Sequence, residues 1–273
     1  MAEIYGSDAF SPREIAEKVE TIGVVKARLP LLSMAMLGMV AGAFIGLGAL
    51  FFTIVLADST LGFATQRILG GVVFSLGLFL VVVAGAELFT GNNLLAMAWA
   101  DGRVSTAEVL RNWVVVCLAN FVGAAALAVL VHLSGHLGMN GNNVGAAVVK
   151  VAAAKAALSP GEAFVRGILC NVLVCLAVWM TLAGRSVTDK FFAVLLPIAA
   201  FIAAGFEHSI ANMYFFPLAM LHQAAHPVAG VAPVTIEQML ANLAVVIPGN
   251  IVGGSVLVAL VYWVIYRRPA RGN

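Results

Sequence analysis

Three ionisable side chains lie near the middle of stretches of the chain that are otherwise strongly apolar. Glu87 interrupts one of these stretches, and the adjacent pair Glu207 and His208 interrupts another. An ionisable group within an apolar segment is costly, so each of them indicates a functional site. Because histidine has an ordinary pKa of about 6.5, His208 can donate a proton or a hydrogen bond to a small anion. Lys155, just before a further apolar stretch, can attract such an anion.

These polar residues are set in a very apolar chain. Of its 273 residues, 62% are hydrophobic and 10% are charged, against about 45–50% and about 25% in soluble domains, which excludes a water-soluble fold. Runs of about 20 apolar residues cross a lipid bilayer as helices. The six runs that predict transmembrane helices lie near Leu31–Leu56, Ile68–Trp99, Trp113–Leu133, Ala163–Leu182, Phe191–Leu221 and Met239–Tyr266.

The second and fifth runs are too long for one simple crossing, and both are interrupted, at Gly85–Asn93 and at Gly205–Asn212. Irregular backbone at membrane depth is tolerated only where it is buried in protein or lines a water-filled cavity, so we expect both breaks to form one central site. A half-helix beginning near Ser209 would aim its positive dipole end at that site. The polar residues also have structural alternatives. The glutamates could accept hydrogen bonds from freed backbone N–H groups, and the histidine could be bonded to Asn or Thr.

A weak internal repeat relates the two halves of the chain. The pattern Asn-x-Val-Gly occurs at Asn120 and again at Asn250, 130 positions later, and Glu87 corresponds to Glu207, 120 positions later. Three spans per half is an odd number, so the second half must enter the membrane from the opposite side. The sequence therefore predicts an inverted 3+3 repeat, an arrangement typical of transport proteins.

The N-terminal segment is polar and mixed in charge. Ser11, Pro12 and Glu14 form the pattern of a helix start with a capping box. The helix is amphipathic, which favours a position at the membrane surface; the alternative is a mobile cytoplasmic gate beneath a pore. The predicted organisation is an N-terminal helix at 1–28, a six-span channel domain at 29–267 with halves near 29–135 and 160–267, and a tail at 268–273.

The distribution of Lys and Arg predicts the orientation of the chain. These residues are concentrated before the first run and after the second, fourth and sixth runs, which all lie on one side of the membrane. Since cytoplasmic loops carry the excess of positive charge, both termini are predicted to be cytoplasmic.

Motifs for several other functions are absent from the sequence. The chain has no HExxH, no CxxC pair, no P-loop and no GxSxG, so we expect no enzyme activity, no cofactor, no metal and no nucleic-acid partner. Glu207 and His208 are adjacent and would point in different directions, which makes them a poor catalytic pair. A neutral-solute channel of the aquaporin type would carry paired Asn-Pro-Ala motifs, and the chain has none.

Longer motifs in the chain resemble those of the formate/nitrite transporter family. They are Gly85–Thr90, Asn171–Met180 and Gly205–Asn212, and the resemblance extends over nearly the whole length. Gly184–Ser186 with Asp189–Lys190, and the closing Tyr262–Tyr266, are most similar to the formate channel branch. One departure follows Thr90, where Gly91–Asn93 replaces the Ser-Thr expected in formate channels; nitrite members also carry Gly after the Thr.

The resemblance implies an aquaporin-like fold and a homopentamer in the bacterial inner membrane, with a pore in each protomer. It also implies that Thr90 and His208 face each other at the centre of the pore. The residues implied to orient the histidine are Asn171, Glu207 and Asn212, and Lys155 is implied to supply a positive field. The implied apolar collars are Phe74 and Phe201 toward the periplasm and Leu78, Leu88 and Val174 toward the cytoplasm.

These collars suggest how an anion would cross. An anion loses hydration at an apolar constriction, where little replaces the water, so a neutral acid crosses at lower cost. We therefore expect formate to be attracted as the anion, to take a proton or a strong hydrogen bond at His208, and to pass the collars as formic acid or a species close to it. Nitrite and hydrosulfide, which are also small bases of weak acids, are the alternative substrates.

Overall fold

The computed structural model describes residues 8–268, and every regular element in this range is helical. The ten helices, in chain order, are α1 (Pro12–Ala27), α2 (Leu31–Leu56), α3 (Phe63–Gly85), α4 (Leu95–Ala100), α5 (Thr106–Leu133), α6 (Asn143–Ala156), α7 (Pro160–Thr181), α8 (Val187–Ala204), α9 (Ser209–Gln223) and α10 (Ile236–Tyr266). A 3-10 turn at Gly91–Leu94 directly precedes α4. Residues 1–7 and 269–273, which belong to the predicted N-terminal helix and tail, lie outside the described range.

Six helices, α2, α3, α5, α7, α8 and α10, are long and apolar enough to cross a membrane. They confirm the predicted all-α fold with six spans in a multi-pass membrane protein, and α2 has the predicted ends at Leu31 and Leu56. The sequence prediction missed α6. This helix has 14 residues, too few to cross a bilayer, so a search for spanning runs passes over it.

The second and fifth crossings each consist of two pieces, as the sequence predicts. In the second crossing α3 ends at Gly85 and helical structure resumes at Gly91; in the fifth, α8 ends at Ala204 and α9 begins at the predicted Ser209. Both long helices stop at a glycine in the left-handed region, Gly85 with φ +84° and Gly205 with φ +74°. Only glycine adopts this conformation without a steric penalty, so the chain can leave each helix axis inside the protein.

Glycines allow α2 and α5 to pack at unusually short range. A Cβ atom at Gly123 would collide with the carbonyl oxygen of Met39, and one at Gly42 would collide with the carbonyl oxygen of Asn120. Where lipid removes the hydrophobic drive for association, such close approach supplies the dispersion energy between helices. An added Cβ would also meet a neighbouring atom within 3.0 Å at each of the four glycines of α2: Gly38, Gly42, Gly46 and Gly48.

The first helix begins where its capping pattern predicts. Ser11 Oγ accepts the N–H of Glu14, and the Glu14 carboxylate accepts the N–H of Ser11 at 2.7 Å. The hydroxyl of Ser11 also donates to that carboxylate at 2.7 Å, and the two hydrogen bonds that the carboxylate accepts from Ser11 hold the pKa of Glu14 below its ordinary value. The apolar face of α1 packs against protein: Ile15 and Val19 are buried against α4, α7 and α10. The amphipathic pattern therefore reflects docking onto protein, because the neighbouring helix ends provide an apolar surface.

A buried ion pair fixes α1 beside the C-terminal end of α10. Glu20 is fully buried, and both of its carboxylate oxygens accept from Arg267 Nε at 3.0 Å. Arg103 lies 3.6 Å from the same carboxylate, and Glu17 pairs with Arg267 at 2.9 Å. Both described ends of the chain therefore lie at the same face of the protein.

The glycine contact between α2 and α5 can be tested with one added methyl group. Gly123→Ala places a Cβ against Met39, and overpacking of this kind costs about 1–3 kcal/mol, so the melting temperature of the purified protein should fall. Gly161→Ala is the matched control, because no atom lies within 4 Å of the added Cβ there. Equal melting temperatures for the two variants, measured by fluorescence in detergent, would contradict the packing role.

Candidate functional site

Two buried asparagines hold the backbone at the breaks. At the first break, Asn120 Nδ2 donates to the carbonyl oxygens of Gly38 at 2.7 Å and Glu87 at 2.9 Å, while its Oδ1 accepts the N–H of Phe89 at 2.9 Å. The break frees backbone groups that no helix satisfies, and a side-chain amide can both donate and accept. Asn120 therefore replaces hydrogen bonds that α3 no longer makes.

Asn250 makes the corresponding bonds at the second break. Its Nδ2 donates to the carbonyl oxygens of Gly167 and Glu207, both at 2.9 Å, and its Oδ1 accepts the N–H of Ser209 at 3.0 Å. In the sequence, Asn120 and Asn250 stand out only as members of a repeat, which predicts no role for them in the site. The repeated Asn-x-Val-Gly pattern was the signal that could have identified them.

A lysine and an asparagine bind the buried carboxylate of Glu207, and a second asparagine links these two residues. Lys155, from α6, pairs with one carboxylate oxygen at 2.8 Å, and Asn212 Nδ2 donates to the other at 2.7 Å. The same Asn212 amide donates to Asn242 Oδ1 at 2.7 Å, and Asn242 Nδ2 donates to the carbonyl oxygen of Lys155 at 3.2 Å. The positive charge of Lys155 is thus largely compensated by Glu207.

The other half of the protein contains the same arrangement around Glu87. Lys26, from α1, pairs with Glu87 at 2.6 Å, and Asn92 Nδ2 donates to Glu87 at 2.7 Å and to Asn112 Oδ1 at 3.0 Å. Asn112 Nδ2 donates to the carbonyl oxygen of Lys26 at 3.1 Å. The expectation that the two carboxylates accept from freed backbone N–H groups is wrong, because in the described residues they bind Lys and Asn side chains instead.

His208 joins the two breaks and is itself the cap of a helix. Its Nε2 lies 3.0 Å from Thr90 Oγ1, and its Nδ1 accepts the N–H of Ala211 at 3.1 Å at the start of α9. A ring nitrogen that accepts carries no proton, so this geometry places the proton of the neutral ring on Nε2. Phe201 stacks on the imidazole with ring centroids 5.8 Å apart. The ring therefore presents one N–H donor at Thr90.

Asn171 acts between helices. Its buried Nδ2 donates to the carbonyl oxygens of Thr90 at 3.2 Å and Asn250 at 2.7 Å, and to Asn93 Oδ1 at 2.7 Å. These bonds join α7 to the first break and to α10. Neither Asn171 nor Asn212 bonds directly to the imidazole of His208. Asn171 binds the backbone at Thr90, and Asn212 binds the carboxylate of Glu207, the residue next to the histidine.

Two vestibules approach His208 from opposite sides. The terminal vestibule, of about 530 Å³, is bounded by α1 through Ile22 and Lys26 and by Leu78 and Leu88. The distal vestibule, of about 180 Å³, contains Lys155, Glu207, His208 and Phe201 among its lining residues.

A chamber of about 10 Å³ lies between the two vestibules, which is room for roughly one water molecule. Leu78 and Leu88 line both this chamber and the terminal vestibule, and Phe201 lines both the chamber and the distal vestibule. Phe74, Val174 and His208 also line the chamber. The ring of Phe74 packs edge-on to that of Phe201, with the ring centroids 5.8 Å apart. Sequence reasoning did not name Ile45 and Ile198, which also line the chamber, because nothing in an apolar run distinguishes a pore-facing residue from a packed one.

Several known proteins are similar to this chain in sequence and in fold. The family model for formate/nitrite transporters matches residues 13–264. The formate channel FocA of Escherichia coli (strain K12) is 40% identical over 96% of each chain, and FocA of Haemophilus influenzae is 38% identical over 93% of this chain and 94% of its own.

Two solved structures are also similar to the chain. One is described as a pentameric formate channel with formate bound; it has a TM-score of 0.81 and 37% identity, over 86% of this chain and 97% of its own. The other, described as a channel of the FNT family, has a TM-score of 0.82 and 32% identity, over 92% of this chain and 98% of its own. The chain belongs to the formate/nitrite transporter family.

Proposed function

We propose that this protein is a channel for small monovalent anions, with formate as its main substrate. The observation that carries the proposal is the pair of Thr90 and His208, 3.0 Å apart between two vestibules. Apolar side chains separate this pair from the terminal vestibule, whereas His208 itself lines the distal vestibule. A permeating species therefore meets one polar side chain, His208, in an otherwise apolar chamber. The formate channels among the relatives support formate as the substrate.

The path favours a species that is neutral or strongly hydrogen-bonded when it passes the collars. The chamber wall formed by Phe74, Leu78, Leu88 and Phe201 offers an anion no replacement for its water. His208 Nε2–H is the donor within reach of that chamber. We infer that it donates a hydrogen bond to the anion at the centre, which lowers the cost of dehydration.

Transport is also the function that fits the polar residues better than catalysis does. The relatives named above are channels, and the carboxylate of Glu207 is already bound by Lys155 and Asn212. A carboxylate already paired in this way is poorly suited to act as a base for His208.

We further propose a homopentamer in the bacterial inner membrane, with both termini in the cytoplasm and one pore in each protomer. The relative described as pentameric supports the assembly, and the excess of Lys and Arg on the side of the termini supports the orientation. In this orientation the terminal vestibule faces the cytoplasm and α1 forms part of its wall. If α1 moves as a gate, the ion pairs that Glu20 makes with Arg267 and that Lys26 makes with Glu87 must break.

Nitrite and hydrosulfide channels are the second candidate function. The sequence feature that favours them is Gly91 after Thr90, which nitrite members also carry. The same hydrogen-bond donor and the same apolar collars would serve each of these anions.

Anion flux into proteoliposomes tests the proposal directly. Formate should enter faster than nitrite, hydrosulfide or chloride. A hydrogen bond to a charged group is worth about 1.5–3 kcal/mol, so His208→Phe should reduce formate flux by roughly tenfold to a hundredfold. His226→Phe is the matched control, because that histidine is exposed and lies outside the path.

Each outcome of the flux experiment has a defined meaning. Faster flux of nitrite or hydrosulfide would retain the pore and change the substrate. Absence of flux for every weak-acid anion through the wild type would refute the channel function, and equal loss in the two histidine variants would refute the role of His208.

The ion pair between Lys155 and Glu207 should be important for stability. Lys155→Met leaves a buried carboxylate unpaired, and loss of one partner of such a pair costs about 3–5 kcal/mol. The melting temperature should fall strongly, whereas Lys150→Met, at an exposed position of the same helix, should leave it nearly unchanged. The double variant Lys155→Met/Glu207→Gln should recover much of the loss. Additive losses would show that the two charges do not interact.

Native mass spectrometry tests the assembly. Five protomers of 28.4 kDa should be released together from detergent micelles at low collision energy. A predominant monomer or trimer across several mild detergents would contradict the pentamer.

A further inference from the structure

The distal vestibule contains two arginines in addition to Lys155. Arg67, from α3, and Arg166, from α7, line the same cavity as Lys155 and His208. The carboxylate lining this cavity is Glu207, which is already bound by Lys155 and Asn212. Three cations against one carboxylate leave this vestibule strongly positive.

Arg67 has a structural role on one edge of its guanidinium. Its Nε donates to the carbonyl oxygen of Ala203 at 3.0 Å, and one terminal nitrogen donates to that of Ile202 at 2.8 Å. These carbonyls end α8, where no further helical N–H is available and a positive charge is favoured. Gly205 leaves room for this contact, since a Cβ there would approach the guanidinium at 2.9 Å. The second terminal nitrogen of Arg67 has no hydrogen-bond partner within residues 8–268.

The guanidinium of Arg166 differs because it has no partner of this kind. Within residues 8–268 it makes no hydrogen bond and no ion pair within 4 Å, although the side chain is only partly exposed. The acid on its own helix, Glu162, is one turn away and fully exposed, and its carboxylate is engaged with Ser159 in the capping box of α7. A half-buried guanidinium with five unused donors is poised for a ligand that can supply oxygen atoms.

We propose that Arg166, together with the free edge of Arg67, forms an anion-binding site in the distal vestibule for small planar carboxylates such as formate. The planar fork of a guanidinium matches the two oxygens of a carboxylate and binds them in parallel, which an ammonium group cannot do. The site rests on the proposed function and adds to it a determinant of affinity and of anion shape, reached before the collar at Phe201.

The site acts on capture of the anion rather than on passage through the chamber. Arg166 lies on α7 in the vestibule and does not line the central chamber. Removing its charge should therefore raise the formate concentration that gives half-maximal flux and leave maximal flux nearly unchanged. The effect should be present for formate applied from the distal side and should weaken at high ionic strength, where fields in vestibules are screened.

The first experiment compares Arg166→Gln with Lys150→Gln, which removes the same charge from an exposed position near the same end of the protein. Loss of a charged hydrogen bond predicts a rise in half-saturating formate of about tenfold for Arg166→Gln and little change for Lys150→Gln. Arg166→Lys should give an intermediate value, because it retains the charge without the fork. Equal half-saturating concentrations in the two glutamine variants would overturn the proposal.

A second experiment does not depend on transport. Phenylglyoxal modifies accessible arginines, and mass spectrometry identifies the modified positions in the purified wild-type protein. Formate should protect Arg166, and chloride at equal ionic strength should protect it less. Protection of Arg166 in a protein that moves no formate would support the site and refute the channel proposal. Formate flux with no protection and no change in half-saturation would refute the site and retain the channel.

Discussion

The structure depends on how two interrupted helices satisfy the hydrogen-bonding groups of their backbone at membrane depth. Each interruption frees N–H and C=O groups that neither lipid nor the remaining helix can bind, at a cost of several kcal/mol per group. One side-chain amide repairs each break: Asn120 and Asn250 accept one N–H and donate to two carbonyl oxygens. Asn is suited to this role because Ser offers a single donor and Asp offers none when ionised. The polar centre of the protein can exist only because these bonds are made.

The second requirement is to keep two carboxylates beside the breaks without leaving their charge uncompensated. Lys155 and Lys26 lie on α6 and α1, helices that do not cross the membrane, and each reaches the glutamate of one half. The short helices are therefore structural parts of the two halves. This explains why α1 is packed against protein. Its lysine compensates Glu87, and its buried Glu20 is bound by Arg267.

The sequence could predict elements but not their partners. Hydropathy locates the six spans because each must exceed bilayer thickness, and glycine beside a charged residue locates the breaks at Gly85 and Gly205. The role of Asn120 could not be derived, since its partners are backbone groups up to 82 positions away. Arg166 lies near the start of a predicted span, where an arginine is ordinary and does not indicate a site. The collars came from the family resemblance, because an apolar run indicates burial and does not show which residues face a pore.

His208 uses both of its ring nitrogens, one toward Thr90 and one at the start of α9, and this constrains any mechanism. Its Nδ1 caps α9 by accepting the N–H of Ala211, so a doubly protonated ring would set two donors against each other at 3.1 Å. The fold thus favours a neutral ring that offers one N–H toward Thr90. A fixed cation at the centre would hold an anion tightly and slow its release, since conduction requires binding that is weak enough to leave. Strong positive charge belongs instead in the vestibule, where water is present and capture, not passage, is the step to be assisted.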